Sequence, residues 1–298
     1  MGPHLVKHLI SNGFEVFGID RSGKKKMDGC VVDSCDVTDY KALFAIIERV
    51  KPDFIFHLAG QSSVASSWGN PELTMKINVG GTKNLLAAVA AAKIDPKILI
   101  VSSAEVYGIP KKVPIDEQHP LYPISPYGES KLEQEKLALQ YSHDGIKIVI
   151  VRSFNQTGPG QPSDFVCSDF ARQVAEVEKG VRQVINVGDI AVSRDFTDVR
   201  DAVAAYLLAL QKCKPGQTYN ICAGMEYKIR DVIEKLVSFS PAAARAGIVK
   251  DAARLRKSDI PVLLGNPAKF MAATGWKPTI PFEQTLRELL DFWRTQQA

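Results

Sequence analysis

The sequence has few cysteines, no long apolar run and almost no excess of charge of either sign. Its five cysteines among 298 residues include no Cys-x-x-Cys pair, which argues against a disulfide framework or a metal site and favours a reducing compartment. No apolar stretch reaches the length that spans a bilayer, and no leader of the charged-then-apolar type is present. The 37 basic and 33 acidic residues give a net charge of +4, too small and too evenly spread to indicate nucleic-acid binding. We therefore expect a cytoplasmic protein that binds no membrane, nucleic acid or metal.

Apolar runs and amphipathic segments alternate through the first half of the chain. The predicted strands cover 14–19, 53–58, 97–101 and 146–151, and the predicted helices cover 40–50, 71–93 and the segment around Tyr127. Near-continuous apolar strands separated by helices are typical of a parallel sheet covered on both faces. The predicted fold class is therefore α/β, a doubly wound parallel sheet.

The pattern becomes less regular after Phe154. Glycine and proline break the chain at 158–162, later strands are shorter, and helices are predicted at 229–238 and 281–297. The segment 218–222 looks like a strand that returns to the main sheet. We predict a main domain of residues 1–160 plus 193–223, and a smaller α/β lobe of residues 161–192 plus 224–298.

The clearest chemical signal is a tyrosine, a lysine and a serine. Tyr127 and Lys131 are four residues apart and share a helix face, while Ser103 ends an apolar strand. An ammonium beside a phenol favours the phenolate, which lets tyrosine donate and accept protons near neutral pH. Each element alone is common in structural roles. Together, in this order within alternating strands and helices, they indicate transfer of a proton and a hydride at a carbonyl or carbinol carbon.

The beginning of the chain resembles part of a dinucleotide-binding unit. Such a unit opens with a strand, a Gly-x-x-Gly-x-x-Gly segment and a helix. Here Gly2 resembles the last of these glycines, and the strand 14–19 ends at Asp20, where an acid can hydrogen-bond ribose hydroxyls. The sequence lacks the preceding strand and two glycines. We expect that a misplaced start or a truncation explains why these elements are missing. The alternative is that the protein has naturally lost cofactor binding.

Several further motifs complete a family pattern. They are Asp36-Val37-Thr38-Asp39, His57-Leu58-Ala59-Gly60-Gln61-Ser62-Ser63-Val64 and Asn78-Val79-Gly80-Gly81-Thr82. With the serine, tyrosine and lysine, they make the chain resemble the extended short-chain dehydrogenases/reductases that act on nucleotide-sugars. Within that group, the segments 152–161, 194–201 and 255–261 resemble the GDP-4-keto-6-deoxy-mannose reductases.

This resemblance implies roles for particular residues. The implied catalytic residues are Ser103, Glu105, Tyr127 and Lys131. The implied cofactor site is built from Gly2, Asp20, Arg21, Asp36, Val37, Leu58, Ala59, Gly60, Asn78, Tyr127, Lys131 and Phe154. The implied substrate site is built from Gln61, Ser62, Ser63, Asn155, Arg194 and Arg256.

For three of these assignments, the residue types suggest either a chemical reason for the role or an alternative structural role. Asp36 would accept from the adenine amino group, or it is an acid at a helix start. Arg194 and Arg256 would clamp the substrate diphosphate, because the planar guanidinium matches phosphate oxygens. Asn155 would bind the sugar or a phosphate, or cap the turn at Gly158.

The activity implied by the resemblance is reduction of the C4 ketone of a GDP-linked, or other nucleoside-diphosphate-linked, 4-keto-6-deoxy sugar. Glu105 leaves a 4,6-dehydratase open, since related dehydratases carry a carboxylate two residues beyond the hydroxyl. A 4-epimerase and a non-catalytic remnant without cofactor also stay open. Asp20 favours NAD, whereas Arg21, Ser22 and the lysines at 24–26 favour NADP. The family commonly dimerises through two helices, here 71–93 and 125–142, so a homodimer is expected.

Overall fold

The computed structural model describes residues 1–23, 27–255 and 260–296. The strands in these ranges are β1 (Val16–Asp20), β2 (Cys30–Ser34), β3 (Phe54–His57), β4 (Lys97–Ser103), β5 (Ile148–Ser153), β6 (Asn155–Thr157), β7 (Val184–Val187), β8 (Ser193–Asp198), β9 (Thr218–Ile221), β10 (Glu226–Lys228), β11 (Gly247–Lys250) and β12 (Val262–Leu263). The helices are α1 (Gly2–Ser11), α2 (Tyr40–Val50), α3 (Val64–Gly69), α4 (Pro71–Met75), α5 (Gly81–Ala92), α6 (Pro126–His143), α7 (Val166–Glu178), α8 (Val199–Lys212), α9 (Ile229–Ser238), α10 (Ala268–Thr274) and α11 (Phe282–Gln296). Each of these helices is too short or too polar to cross a bilayer.

The main sheet is parallel and has the strand order β3-β4-β5-β9. Successive residues of β4 face opposite sides, as strand geometry requires. Ile98 and Ile100 pack with α2, α5 and α6, whereas Leu99 packs with α8 on the other face. This arrangement confirms the predicted α/β fold, and the pairing of β9 with β5 confirms that the segment at 218–222 returns to the main sheet.

The strands β1 and β2 form a separate parallel pair beside the four-stranded main sheet. Within the described ranges, β1 makes no backbone pairing with β3. Side chains join the two sheets instead, with the Phe14 and Phe54 rings 5.9 Å apart. The sequence analysis missed β2, because Cys30–Ser34 is short and has a polar end.

The helix predicted at 71–93 is divided into three pieces. Asn70 caps α4 by accepting from Leu73 N at 3.0 Å, a π-helical turn follows at Lys76–Gly80, and α5 then continues. A π turn inserts one extra residue into a helix and is often found at functional sites. Here it holds the fully buried Asn78 side chain between Gln61 and Ser130. Hydrophobic periodicity alone does not reveal such an insertion.

The later part of the chain forms a second group of elements. The strands β6, β8, β10 and β12 make a mixed sheet, and β7 pairs in parallel with β11. A separate apolar cluster, which includes Phe170, Val174, Ile233 and Leu289, packs α7, α9 and α11 together. The predicted boundaries of the two lobes stay a prediction.

Candidate active site

Helix α6 begins in a way that fixes Tyr127 in its first turn. Ser125 caps the helix by accepting from Gly128 N at 3.1 Å, and Pro126 occupies the first helical position, which its ring favours. Tyr127 N donates to Ser67 Oγ at 3.2 Å. A Cβ on Gly128 would stand 2.8 Å from Glu105 O, so the helix approaches the 3₁₀ turn Ala104–Tyr107 at backbone distance.

Ser103 ends β4 at the carboxyl edge of the parallel sheet, beside the start of α6. Its Oγ accepts from Glu105 N at 3.2 Å, and its side chain hydrogen-bonds that of Tyr127. Across the sheet, Ser103 is the register partner of Ser153 on β5. The structure thus brings the predicted serine and tyrosine into direct contact, where they could bind one carbonyl oxygen together.

The pKa of Tyr127 moves in the opposite direction to that expected from the sequence. Burial raises it well above its usual value, the Ser103 hydrogen bond offsets part of this rise, and the Glu105 charge adds to it. The prediction that Lys131 makes this phenol acidic is therefore wrong for the chain alone. The lysine Nζ lies 5.9 Å from the ring centroid. Tyr127 is thus a protonated phenol at neutral pH, which suits a proton donor.

Lys131 is buried, with 7% of its surface exposed. Its Nζ donates to Val101 O at 2.8 Å and to Gln134 Oε1 at 2.9 Å. Burial lowers the pKa of Lys131 to about 8, although the nearby Glu135 charge raises it in part. The ammonium is therefore held by backbone and amide oxygens beside the tyrosine.

The loop after β3 approaches this lysine closely. Leu58 and Ala59 lead into Gly60, where an added Cβ would stand 2.8 Å from Asn78 Oδ1 and 3.8 Å from Lys131 Nζ. Asn78 Oδ1 accepts from Gln61 N at 2.8 Å, and Gln61 Oε1 is buried without a partner among the described residues. A glycine with no room for a side chain and an unpaired buried acceptor fit a site in which a ligand approaches the backbone.

A methyl group at Gly60 tests this close packing. We expect Gly60→Ala to lower the free energy of unfolding by about 1–3 kcal/mol, because the new methyl must displace Asn78. Gly80→Ala is the matched control, since Gly80 has helical angles and open space around its Cβ position. Thermal unfolding midpoints of the two variants measure the difference. Equal midpoints would show that the loop adjusts freely.

Two carboxylates lie at the carboxyl ends of β1 and β2. Asp20 Oδ1 accepts from Ser22 N at 3.0 Å. Asp36 Oδ1 accepts from Thr38 N at 2.9 Å and from Thr38 Oγ1 at 2.8 Å. These hydrogen bonds lower the pKa of Asp36, and the charge of Arg21 lowers it further. Asp39, not Asp36, caps α2 by accepting from Ala42 N, so Asp36 is not the helix-start acid.

The other predicted cofactor residues have defined positions. Gly2 opens α1 as predicted, and the Val37 side chain packs where a Cβ on Gly81 would stand. The Phe154 ring is buried against Tyr107 and below Gly265. Asp20 ends β1, Asp36 follows β2, Gly60 follows β3 and Ser103 ends β4. All four thus lie at the carboxyl ends of parallel strands, where open α/β sheets bind dinucleotides.

The predicted substrate residues are more scattered. Ser63 caps α3 by accepting from Ser66 N at 3.2 Å, Ser62 is exposed, and Asn155 begins β6. Arg194 is 4% exposed, and its Nη1 donates to Ser193 O and Ile260 O, both at 2.7 Å. These bonds give Arg194 a structural role beside β12. Arg256 and the lysines at 24–26 lie outside the described residues, so the diphosphate clamp stays a prediction.

A second hydroxyl cluster near Tyr127 was not found from the sequence. The Tyr206 hydroxyl lies 2.7 Å from Ser153 Oγ and accepts from Gln156 Nε2 at 2.7 Å. Tyr206 is close enough to raise the pKa of Tyr127. The sequence signal was weak, because Tyr206 lies within the apolar run 202–210 of helix α8, where a tyrosine usually belongs to the core.

Comparison with known proteins places the chain in a family. The profile of the family described as GDP-mannose 4,6 dehydratase matches residues 1–289. A GDP-6-deoxy-D-mannose reductase from Pseudomonas aeruginosa is 41% identical over 249 residues, which cover 82% of this chain and 81% of that protein.

Two solved structures have the same fold. RMD from Pseudomonas aeruginosa complexed with NADPH has a TM-score of 0.85 and 35% identity, covering 98% of this chain and 96% of that one. UDP-glucose 4-epimerase from Thermotoga maritima with UDP-glucose has a TM-score of 0.90 and 26% identity, covering 100% and 96%. The chain belongs to the GDP-mannose 4,6-dehydratase family of extended short-chain dehydrogenases/reductases.

Proposed function

We propose that this chain is an NAD(P)H-dependent reductase of the GDP-6-deoxy-D-mannose reductase type. The observation that carries the proposal is the hydrogen-bonded pair Ser103 and Tyr127 beside the buried Lys131, at the carboxyl edge of a parallel sheet. The identity of 41% to a reductase of that name supports it. The substrate would be a GDP-linked 4-keto-6-deoxy-mannose, and the product a GDP-rhamnose.

The cofactor would lie along the strand ends from Asp20 to Lys131, over Gly60. Asp36 would accept from its adenine amino group, and Asn78 would line its path. Gly2 would face its phosphates at the start of α1, and Lys131 would bind the nicotinamide ribose. When bound, the nicotinamide supplies the hydride for C4.

The residues of the chain would supply the proton and the orientation. Ser103 would donate a hydrogen bond to the C4 oxygen and hold it beside Tyr127. Tyr127 would give its proton to the developing alkoxide, so that the carbonyl gains one hydride and one proton and becomes a carbinol. The raised pKa of Tyr127 supports this direction, because reduction requires the protonated phenol.

The assay for this proposal supplies GDP-4-keto-6-deoxy-mannose and NADPH to the purified chain. We expect one NADPH to be oxidised for each GDP-rhamnose formed. Absence of NADPH oxidation and of product would contradict the proposal. Failure to bind NADPH at all would favour a non-catalytic remnant.

A 4,6-dehydratase is a second candidate because the Glu105 charge acts on Tyr127. In that reaction Glu105 would remove the C5 proton of the sugar. Incubation with GDP-mannose separates the two functions. A dehydratase releases the 4-keto-6-deoxy sugar without net consumption of cofactor, whereas a reductase leaves GDP-mannose unchanged.

The choice between the two cofactors would depend on residues that follow β1. Arg21 is exposed and near Asp36, where a guanidinium would meet a 2′-phosphate, whereas the Asp20 carboxylate would repel one. The NADPH-bound relative supports NADP. We expect Arg21→Ala to raise KM for NADPH but not for NADH. Equal effects on the two Michaelis constants would assign Arg21 no part in cofactor choice.

A homodimer and a cytoplasmic location complete the proposal. The exposed apolar side chains Leu73 and Met75, on α4 within the 71–93 segment, support a partner surface there. Sedimentation equilibrium of the purified chain measures its oligomeric state. A monomer at micromolar concentration would contradict the proposed dimer.

A further inference from the structure

Behind Lys131, a buried row of polar side chains connects α6 to β3. Gln134 Oε1 accepts from Lys131 Nζ at 2.9 Å, and Gln134 Nε2 donates to Thr82 Oγ1 at 2.6 Å. The Thr82 hydroxyl donates to Asn78 O at 2.7 Å, and His57 Nε2 lies 2.9 Å from the same Oγ1. Gln134 and Thr82 are fully buried. Because these polar groups are buried away from water, each of them needs a hydrogen-bond partner within the protein.

The hydrogen-bonding chemistry of this row fixes the direction of the Gln134 amide. The single hydroxyl hydrogen of Thr82 goes to the Asn78 carbonyl, which can only accept. Thr82 Oγ1 must therefore accept from both Gln134 and His57, so His57 carries its proton on Nε2. A reversed Gln134 amide would place its NH₂ against the Lys131 ammonium, donor against donor. Thr82 and His57, together with the Asn78 carbonyl, thus direct Gln134 Oε1 at Lys131.

The Lys131 ammonium can donate three hydrogen bonds. Val101 O and Gln134 Oε1 take two of them. Among the described residues no acceptor takes the third, and Nζ lies 3.8 Å from the position of a Cβ on Gly60. The two protein acceptors therefore leave one N–H for a ligand atom that approaches beside Gly60.

We propose that Gln134, oriented by Thr82 and His57, is a positioning residue that holds the Lys131 ammonium in place for the cofactor. This inference rests on the proposed function, because it takes Lys131 as a cofactor-binding group. Gln134 lies outside the serine, tyrosine and lysine set and acts only through Lys131. An apolar residue at this place would leave the ammonium one buried acceptor short.

The charge of Lys131 gives this role a measurable signature. Burial lowers its pKa to about 8, so the ammonium that binds the cofactor is present below pH 8 and is lost above it. The ionisable groups that face Lys131 are His57 from β3, and Tyr127 and Glu135 from α6. Burial and the Lys131 charge lower the pKa of His57 to about 3, so this histidine stays neutral. The loss of cofactor affinity at alkaline pH therefore reports the deprotonation of Lys131.

The test measures the dissociation constant for NADPH by fluorescence between pH 6 and pH 10. Gln134→Leu removes a charge-assisted hydrogen bond, so we expect the alkaline midpoint to fall by about one pH unit. Gln134→Glu places a carboxylate beside the ammonium and should raise the midpoint by a similar amount. Gln140→Leu is the matched control, since Gln140 is an exposed glutamine of the same helix, and it should leave the midpoint unchanged.

Opposite shifts of the two Gln134 variants support the inference, because a merely structural role predicts loss of binding in both. An unchanged midpoint in both, or the same shift in both, would overturn it. Where Gln134→Leu melts below the assay temperature, Thr82→Val should produce the same lowered midpoint, and failure to do so counts against the inference. A wild-type chain that binds no NADPH at any pH overturns the proposed function and the inference with it.

Discussion

Replacing Tyr127 by phenylalanine is expected to lower kcat for sugar reduction by a factor on the order of 10²–10⁴, the usual contribution of one positioned proton donor. The substitution removes one oxygen from a buried ring and keeps its packing. KM for the sugar should change little, because Ser103 still donates to the carbonyl oxygen. Steady-state rates at saturating NADPH measure the effect. Undiminished turnover would remove Tyr127 from the mechanism.

Tyr206→Phe is the control for this variant. Tyr206 is also buried and lies near Tyr127, but its hydroxyl is held by Ser153 and Gln156. Its removal should leave kcat within about tenfold, since no proton passes through it in the proposed reaction. An equal loss in both variants would mean that the site responds to any missing hydroxyl.

The protonation state of Tyr127 links this prediction to the direction of the reaction. Reduction needs the phenol at the start of the cycle, whereas oxidation of a carbinol, the first step of an epimerase, needs the phenolate. Burial raises the pKa of Tyr127, so the phenol is the resting form. The rate of reduction should therefore be flat through neutral pH and fall only where Lys131 loses its proton, near pH 8.

The local features of the site could be predicted because they follow from short-range sequence rules. Ser125 and Pro126 mark the start of α6, and the spacing of Tyr127 and Lys131 puts them on one helix face. The apolar run in β4 predicts a buried parallel strand that ends near Ser103. Adjacent strand ends in a parallel sheet then bring these residues together.

Features that depend on distant packing could not be predicted. The extra residue of the π turn at Lys76–Gly80 is accommodated because Gln61 and Ser130, far along the chain, bond the Asn78 side chain. The pKa of Tyr127 depends on how deeply the fold buries the ring, and a sequence motif does not indicate the depth of burial. Gln134 looks like an ordinary helix residue until Thr82 and His57 are placed around it.

A buried ion pair, Glu135 with Arg152, fastens the helix that carries Tyr127 to the sheet. Glu135 lies one turn beyond Lys131 on the same face of α6. Its carboxylate accepts from Arg152 Nε at 3.0 Å and from Nη2 at 2.7 Å, and also from the Ser102 hydroxyl. The two charged side chains are 2% and 7% exposed. The attraction between the two charges therefore offsets the free-energy cost of removing each of them from water.

Glu135→Leu is accordingly expected to lower the free energy of unfolding by about 3–5 kcal/mol, because it leaves the Arg152 guanidinium buried without its counter-charge. The double variant Glu135→Leu with Arg152→Met should be more stable than Glu135→Leu alone, since it removes both charges. Urea unfolding of Glu135→Leu, Arg152→Met and the double variant gives the three free energies of unfolding. With the wild type, these form a double-mutant cycle that measures the coupling between the two side chains. Glu133→Gln is the control, because its partner Lys136 is exposed and such pairs contribute about 0–1 kcal/mol. Additive losses in the double variant would show that Glu135 and Arg152 do not act as a unit in stabilising the fold.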